Sequence, residues 1–501
     1  MVTAFTPLPR WQRQLLLVVA GGALGWFHAP YNFWWLSFLI MPVLAVAVLE
    51  APRVRDAFVC GWLFAFGYFL FGLYWIANAL FVDITLFWWV LPFAVAGLPI
   101  VLALFWGAAA ALVRRTQAKG LSGVLALAAM LALFEWLRGH VLTGFPWLLP
   151  AYLWVDVAPV RMLAATVGSY GLTLWALLAA MLPAVLLLQP SRRTLARVGV
   201  VAVILVGAVV FNPAPRHVET SEGFNLRIVQ PNIAQTIKRN AQMSEQAFQT
   251  LLHLTAPEGA PRVIVWPETA VPYMMADSAG VRARIAAVMP AGSVLITGGV
   301  RREGERYFNS VLMMDSSGAM LGSYDKAHLV PYGEYVPLRT YIPLQAIATG
   351  LDFTAGSGPK TIALPGLPPL GAQVCYEVLF PGQIADRANP PSWLVNVTND
   401  AWYGDTHGPR QHFALTRLRA VEEGVPLVRA ANTGISGVID AYGNVVVSTG
   451  IAHAIYLDVY FVISRYDTIY KKYGDATCLL LCFLLLLPVM RLPIIKQTGK
   501  A

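Results

Sequence analysis

Long apolar runs dominate this chain, and a run of roughly 18 or more apolar residues has few destinations other than a bilayer crossed as a helix. Such runs fall near residues 11–29, 32–50, 57–81, 86–113, 121–138, 160–189, 194–211 and 476–490, which predicts eight transmembrane helices. The last is short for a span, a mismatch that snorkelling flanks or a locally thinned bilayer can absorb. Arg10 and Arg13 precede the first run, no small-residue cleavage site follows it, and a second run comes directly behind. It therefore reads as an uncleaved anchor and not as a signal peptide. With 57% hydrophobic and 13% charged residues, the composition argues against a purely soluble protein.

Basic residues orient the spans. Arg10 and Arg13 precede span one, Arg53 and Arg55 join spans two and three, and Arg114, Arg115 and Lys119 join four and five. Arg192, Arg193 and Arg197 join six and seven, and Arg491, Lys496 and Lys500 follow span eight, so every second loop is basic. The alternate loops 82–85 and 139–159 hold almost no positive charge. Both termini are thus expected in the cytoplasm, with residues 212–475 outside it, in the periplasm if the cell is bacterial. Three parts follow: a membrane domain at 1–211, an exported domain at 212–475, and a last helix with a cytoplasmic tail at 476–501. The net charge of +9 does not mark a nucleic-acid binder, because the exported part carries 21 Lys/Arg against 22 Asp/Glu and the rest 15 against 5. The excess sits in membrane-flanking loops, not on a basic face.

The exported part alternates strand and helix signals. Strands are expected at Phe224–Gln230, Arg262–Val265, Ser293–Val300, Asn309–Asp315, Met320–Tyr324, Gly371–Glu377, Trp393–Val397, Leu427–Ala430 and Gly437–Ala441. Helices are expected at Ser244–Leu254, Val281–Val288, Gly382–Ala388 and His407–Glu423. This alternation implies an α/β sheet layer covered by helices.

Cys375 is the sole cysteine of that part, since Cys60, Cys478 and Cys482 lie in apolar runs. An oxidising compartment favours disulfides, so a lone thiol there is either a buried hydrophobe or a reactive group. A reactive thiol needs a base, because its ordinary pKa near 8.5 leaves it mostly protonated. Glu268 ends the apolar strand Val263-Ile264-Val265-Trp266-Pro267 and could serve, if apolar surroundings raise its pKa. A carbonyl under attack also needs fixed donors for its oxyanion, and Lys326 leaves a strand where it could provide one. A surface role is the plain alternative for both. His328 reads as a structural hydrogen-bonder, and His407 and His412 lack the neighbours of a metal site, so no metal is expected. Glu135 and Arg138, three apart at the outer end of span five, read as a structural ion pair, with headgroup contact second.

Taken in order, the stretches Glu135-Trp136-Leu137-Arg138-Gly139, Thr143-Gly144-Phe145-Pro146-Trp147, Gln230-Pro231-Asn232-Ile233 and Trp266-Pro267-Glu268-Thr269 form a set. It continues with Lys326-Ala327-His328-Leu329-Val330-Pro331-Tyr332-Gly333-Glu334, Cys375-Tyr376-Glu377 and Asn396-Val397-Thr398-Asn399-Asp400-Ala401-Trp402-Tyr403-Gly404. Nearly the whole chain resembles the apolipoprotein N-acyltransferases, a membrane-bound family of the nitrilase, or carbon-nitrogen hydrolase, superfamily. The resemblance implies an αββα sandwich outside the membrane, with Glu268 as general base, Lys326 as oxyanion stabiliser and Cys375 as nucleophile. Glu334, Tyr376 and Glu377 match supporting positions. It implies no cofactor, a phospholipid acyl donor such as phosphatidylethanolamine, a diacylglyceryl-cysteine apolipoprotein as acceptor, the bacterial inner membrane as location, and a monomer. Met274, Met275, Tyr341 and Ile342, in apolar loops after Glu268 and Lys326, are expected to face lipid and gate acyl chains, or else to pack internally. One departure is Gln235-Thr236-Ile237-Lys238-Arg239, where Arg239 stands in place of the family's frequent tryptophan. The rival readings are an anchored amidase that uses water and a transporter with a sensing domain, the latter disfavoured by the scarcity of mid-span charges.

Overall fold

The computed structural model describes residues 9–212, 218–234, 241–256, 258–337 and 352–490. Residues 235–239, 341–342 and the basic tail from 491 lie outside them. The chain divides into two units, one of Met1–Tyr74, Trp89–Asn212 and Tyr473–Ala501, the other of Trp75–Trp88 and Pro213–Lys472.

The first unit is helical: α1 (Arg10–Trp26), α2 (Ser37–Leu49), α3 (Val54–Gly72), α4 (Leu98–Thr116), α5 (Gly120–His140), α6 (Ala164–Met181), α7 (Arg192–Val210), and a late helix Ala476–Leu486. Among the described residues, five helical stretches are long and apolar enough to cross a membrane: Val54–Gly72, Phe93–Thr116, Gly120–His140, Ala164–Leu188 and Arg192–Val210. The remaining expected spans fall on shorter helices. Helices in lipid gain little from burying apolar groups against one another, so close backbone contact matters more. In α1 a Cβ on Gly21 would lie 1.9 Å from the Phe64 carbonyl oxygen, and one on Gly25 would lie 2.1 Å from that of Tyr68.

Between α5 and its neighbours lies a fully buried ion pair, with the Glu135 and Arg138 side chains both at 0% exposure. Trp106 Nε1 donates to Glu135 Oε1 at 2.6 Å, Arg138 Nε donates to the same oxygen at 3.1 Å, and Arg138 also donates to the Phe145 carbonyl. The pair is structural, with no surface left for a headgroup. The expected span at 57–81 ends early, at Gly72, because the chain then winds into a 3₁₀ segment, Tyr74–Asp83. Its polar groups are satisfied within the second unit: Trp75 Nε1 donates to Gln411 Oε1 at 3.0 Å and Asn78 Nδ2 to the Tyr403 carbonyl at 3.2 Å.

The second unit stacks two six-stranded sheets. One contains β1 (Phe224–Gln230), β2 (Val263–Val265), β3 (Val294–Glu303), β4 (Arg306–Asp315), β5 (Met320–Asp325) and, at its other edge beside β1, β12 (Ile455–Phe461). The other runs β6 (Thr361–Leu364), β7 (Leu367–Val374), β8 (Trp393–Thr398), β9 (Leu427–Ala431), β10 (Gly437–Ile439) and β11 (Val445–Ser448) in spatial order. The central strands β1–β2–β3 and β7–β8–β9 are parallel. Apolar side chains such as Ile228, Val263 and Ile296 from one sheet meet Val374, Val395 and Val428 from the other in a common core. Helices α8 (Ala241–Thr255) and α9 (Ala279–Ala286) cover the first sheet through Phe248, Leu251 and Ile285. Helix α10 (His407–Glu423) follows β8 and is almost wholly buried.

The strands β6, β11 and β12 were not expected, and one expected helix is displaced. No helix forms at Gly382–Ala388, where Gly382 adopts a φ of +71°. The helical turn comes earlier, at Cys375–Leu379, where the Glu377 carboxylate accepts the Val374 N–H at 2.7 Å.

The buried membrane pair yields the first test. Arg138→Met alone leaves a buried carboxylate uncompensated and is expected to cost about 3–5 kcal/mol, whereas Glu135→Leu with Arg138→Met recovers most of it. Unfolding midpoints in detergent check this, and a double variant no more stable than the single would refute it.

Candidate active site

Three strand ends of the second unit deliver the three residues singled out from sequence. Glu268 follows β2 after Trp266 and Pro267, held against β3 by Trp266 N–H to Ile296 O at 2.9 Å and Gly298 N–H to Pro267 O at 3.1 Å. A Cβ on Gly298 would lie 2.4 Å from the Glu268 Cα, so only glycine lets Glu268 come this close to β3. Lys326 directly follows β5, and its N–H donates to the Asn309 carbonyl on β4 at 2.8 Å. Cys375 directly follows β7 with a φ of +47°, a backbone region costly for a non-glycine residue and common at functional turns.

The side chains converge. Lys326 Nζ lies 3.0 Å from Glu334 Oε1, 2.9 Å from Glu334 Oε2 and 3.8 Å from Glu268 Oε1. Asn309 Nδ2 bridges the two carboxylates, donating to Glu268 Oε1 at 2.8 Å and to Glu334 Oε1 at 2.7 Å. Glu334 Oε2 also accepts the Val330 N–H at 2.8 Å. The Cys375 thiol faces Glu268 and favours the ionised carboxylate. Glu268, Lys326 and Cys375 are 6%, 1% and 5% exposed.

Burial sets the electrostatics. It raises the Glu268 carboxyl above the ordinary glutamate range; Lys326 opposes the rise and the Glu334 charge adds to it. Burial alone would lower Lys326, but Glu334 and Glu268 outweigh it and hold the ammonium protonated. Burial also raises the thiol, helped by the Glu268 carboxylate and opposed by Lys326. The resting state is therefore a thiol facing a basic carboxylate, with a fixed cation alongside.

Glu377 sits in the same turn as Cys375 and acts as a brace. Its Oε1 accepts from Tyr324 Oη at 2.7 Å, Ala327 N at 2.8 Å and His328 N at 3.2 Å, tying the lysine loop to the cysteine turn. Tyr376 packs edge-on to Phe380 at 5.1 Å, and the His328 ring stacks on Phe380 at 3.5 Å, away from any role as base. Met275 is fully buried beside Phe248 and Trp266, which favours internal packing at that position. Met274 is half-buried and lines a cleft of about 250 Å³ with Ile233, Ala247, Thr269 and Val300. The other two proposed gate residues, Tyr341 and Ile342, lie outside the described residues. Sequence reasoning missed Asn309, whose one signal is a polar residue at the start of a buried strand.

A family model described as the apolipoprotein N-acyltransferase N-terminal domain matches residues 20–211, and one described as carbon-nitrogen hydrolase matches residues 224–452. Apolipoprotein N-acyltransferase of Rhodopseudomonas palustris is 36% identical over 514 residues, covering 96% of this chain and 95% of the relative. That of Bradyrhizobium diazoefficiens is 38% identical over 516 residues, covering 97% and 96%. Among solved structures, a CN-hydrolase superfamily protein of Xanthomonas campestris is 18% identical with a TM-score of 0.37, covering 51% of this chain and 97% of its own. A nitrilase-superfamily amidase of Nesterenkonia is 19% identical with a TM-score of 0.37, covering 52% and 97%.

The raised Glu268 fixes the sign of a pH test. A base must be ionised, so Cys375 reactivity is expected to fall with acid at a pH above the ordinary glutamate value of about 4.3. Glu334→Gln removes a charge that pushes Glu268 up, and this limb should move to lower pH. Rates of Cys375 alkylation across pH measure both, and a limb that stays in place in the variant would contradict the coupling.

Proposed function

The chain belongs to the apolipoprotein N-acyltransferase family, and we propose that Glu268, Lys326 and Cys375 perform its acyl transfer through a thioester on Cys375. The convergence of a buried base, a buried cation and a free thiol at three strand ends carries this reading. Glu268 takes the thiol proton as sulfur attacks the ester carbonyl of a phospholipid, for which phosphatidylethanolamine is the donor we favour. Lys326 and nearby backbone N–H groups meet the oxyanion. Collapse passes the proton from Glu268 to the departing lysophospholipid and leaves the thioester. Glu268 then accepts a proton from the α-amine of a diacylglyceryl-cysteine as that amine attacks. The C–S bond breaks, the proton returns to sulfur, and the amide is released.

Glu334 supports the site by keeping Lys326 charged, and Glu377 with Tyr376 supports it by fixing the nucleophile turn. The apolar helices keep the chain in the bilayer, which raises the effective concentration of both lipid-anchored substrates. In a bacterium this would be the inner membrane, crossed with the termini in the cytoplasm and Glu268, Lys326 and Cys375 in the periplasm; one copy of the chain carries all three residues. The cleft beside Thr269 is apolar and adjoins the base, which suits part of an acyl chain.

Incubation of the detergent-purified protein with phosphatidylethanolamine should add one hydroxylamine-sensitive acyl mass, absent from Cys375→Ala. Intact-protein mass spectrometry reads it, and an unmodified wild-type protein would sink the proposal. Release of free fatty acid without need of an acceptor peptide would favour the water-using amidase instead.

The cleft is tested separately. Met274→Ser removes apolar contact worth about 0.8 kcal/mol per buried methylene, so acylation by long-chain donors should slow several-fold more than by short-chain donors. Equal slowing for both chain lengths would exclude an acyl chain at Met274.

A further inference from the structure

The parallel register of β7 and β8 pairs Val374 with Val397, which sets Thr398 beside Cys375 at the strands' ends. The Thr398 hydroxyl neighbours the Cys375 sulfur in this register and favours its thiolate, and it lies 3.2 Å from Asp400 Oδ1. A hydroxyl has one proton to donate, so Thr398 can serve only one of these two acceptors at a time. In the resting thiol the sulfur carries its own proton and donates it to Glu268, which leaves the Thr398 proton on Asp400.

Asp400 does not depend on that bond. It is fully buried, with Oδ1 2.9 Å from His412 Nδ1 and Oδ2 2.9 Å from the Arg429 guanidinium. Burial would raise its carboxyl, but Arg429 and His412 together hold it at about 2, so it stays an anion. The same cluster grips the nucleophile's backbone. Asn396, which accepts from Arg429, donates to the Cys375 carbonyl at 3.5 Å.

We propose that Thr398 is a further catalytic residue: its hydroxyl rests on Asp400 and turns to donate to the cysteine sulfur whenever that sulfur carries negative charge. This deepens the proposed thioester mechanism and rests on Cys375 as its nucleophile. In the first half-reaction the thiol proton passes to Glu268, the S–C bond forms, and the Thr398 proton follows the charge to sulfur until the bond is complete. In the second half-reaction the C–S bond breaks, the electron pair returns to sulfur, and Thr398 donates again until Glu268 restores the thiol proton. Asp400, His412 and Arg429 are positioning residues that hold the hydroxyl between its two acceptors.

Glu268, Lys326, Glu334, Glu377, Asp400, Tyr403, His412 and Arg429 are the ionisable groups around the thiol, and Thr398→Val and Thr398→Ser leave all of them in place. In the full-length protein in detergent, the pH dependence of Cys375 alkylation is followed by peptide mass spectrometry. Thr398→Val, close in shape, is expected to raise the alkylation midpoint by about one unit, a tenfold loss of thiolate at fixed pH, with Thr398→Ser restoring it. An unchanged midpoint in Thr398→Val would overturn the proposal. Equal shifts in the two variants would also overturn it, since Thr398→Ser keeps the hydroxyl and its shift would then come from disturbed packing. Because alkylation needs no acyl donor, failure of the thioester reading appears separately, as a wild-type protein that alkylates but never acylates.

Discussion

Four ionisable groups, Glu268, Glu334, Lys326 and Cys375, are buried together at one point in the second unit. Burying one charge in a protein interior costs several kcal/mol, and the cost is recovered only where partners are close and well oriented. Lys326 is the element that makes this grouping tolerable. Its ammonium lies within 3.0 Å of Glu334 and 3.8 Å of Glu268, and Asn309 places one amide nitrogen between the two carboxylates. Glu334 takes the closer contact, so Glu268 is only partly neutralised and remains basic enough to accept a proton. Two equal salt bridges would have left Lys326 shared and Glu268 a poorer base.

The arrangement needs rigidity, because an ångström of drift would change which carboxylate the lysine favours. Glu377 provides part of it, with four donors from three segments converging on one carboxylate: Tyr324, the Ala327 and His328 amides, and the Val374 amide. The same residue caps the turn that holds Cys375 at its positive φ. Backbone strain of this kind persists only where surrounding bonds over-determine the conformation. Asn396, itself held by Arg429, donates to the Cys375 carbonyl, so a second buried polar group restrains the same residue.

Much of this was legible in the sequence. Apolar runs announced the helices of the first unit, and apolar strands ending in Glu268, Lys326 and Cys375 marked the site, because a strand end is a fixed point from which a side chain can be aimed. Glu334 and Glu377 came from the resemblance and not from spacing alone. Asn309 and Thr398 were hidden, since their importance depends on which strand lies beside which, and pairing between distant strands leaves no local trace. The strands β6, β11 and β12 were missed, the first two because few residues alternate there, and a helix was misplaced at Gly382–Ala388 because the capping that starts a helical turn belongs to Glu377, five residues earlier. Trp75–Trp88 misled most. Its composition is that of a membrane span, yet its Trp75 and Asn78 find their hydrogen-bond partners beside α10, and apolarity cannot distinguish lipid from a protein core.

That ambiguity bears on how the two units divide their work. The first unit tolerates one buried ion pair, Glu135–Arg138, by surrounding it with Trp106 and the Phe145 carbonyl, so that each charge meets a fixed partner. The second unit applies the same rule at the site but leaves it incomplete: Glu268 has only a distant cation, and Cys375 has burial raising it without a full counter-charge. Identical chemistry thus yields a strut in one unit and, in the other, the centre proposed to be reactive. The difference lies in whether the protein compensates each buried charge in full or leaves a carboxylate only partly compensated beside a thiol.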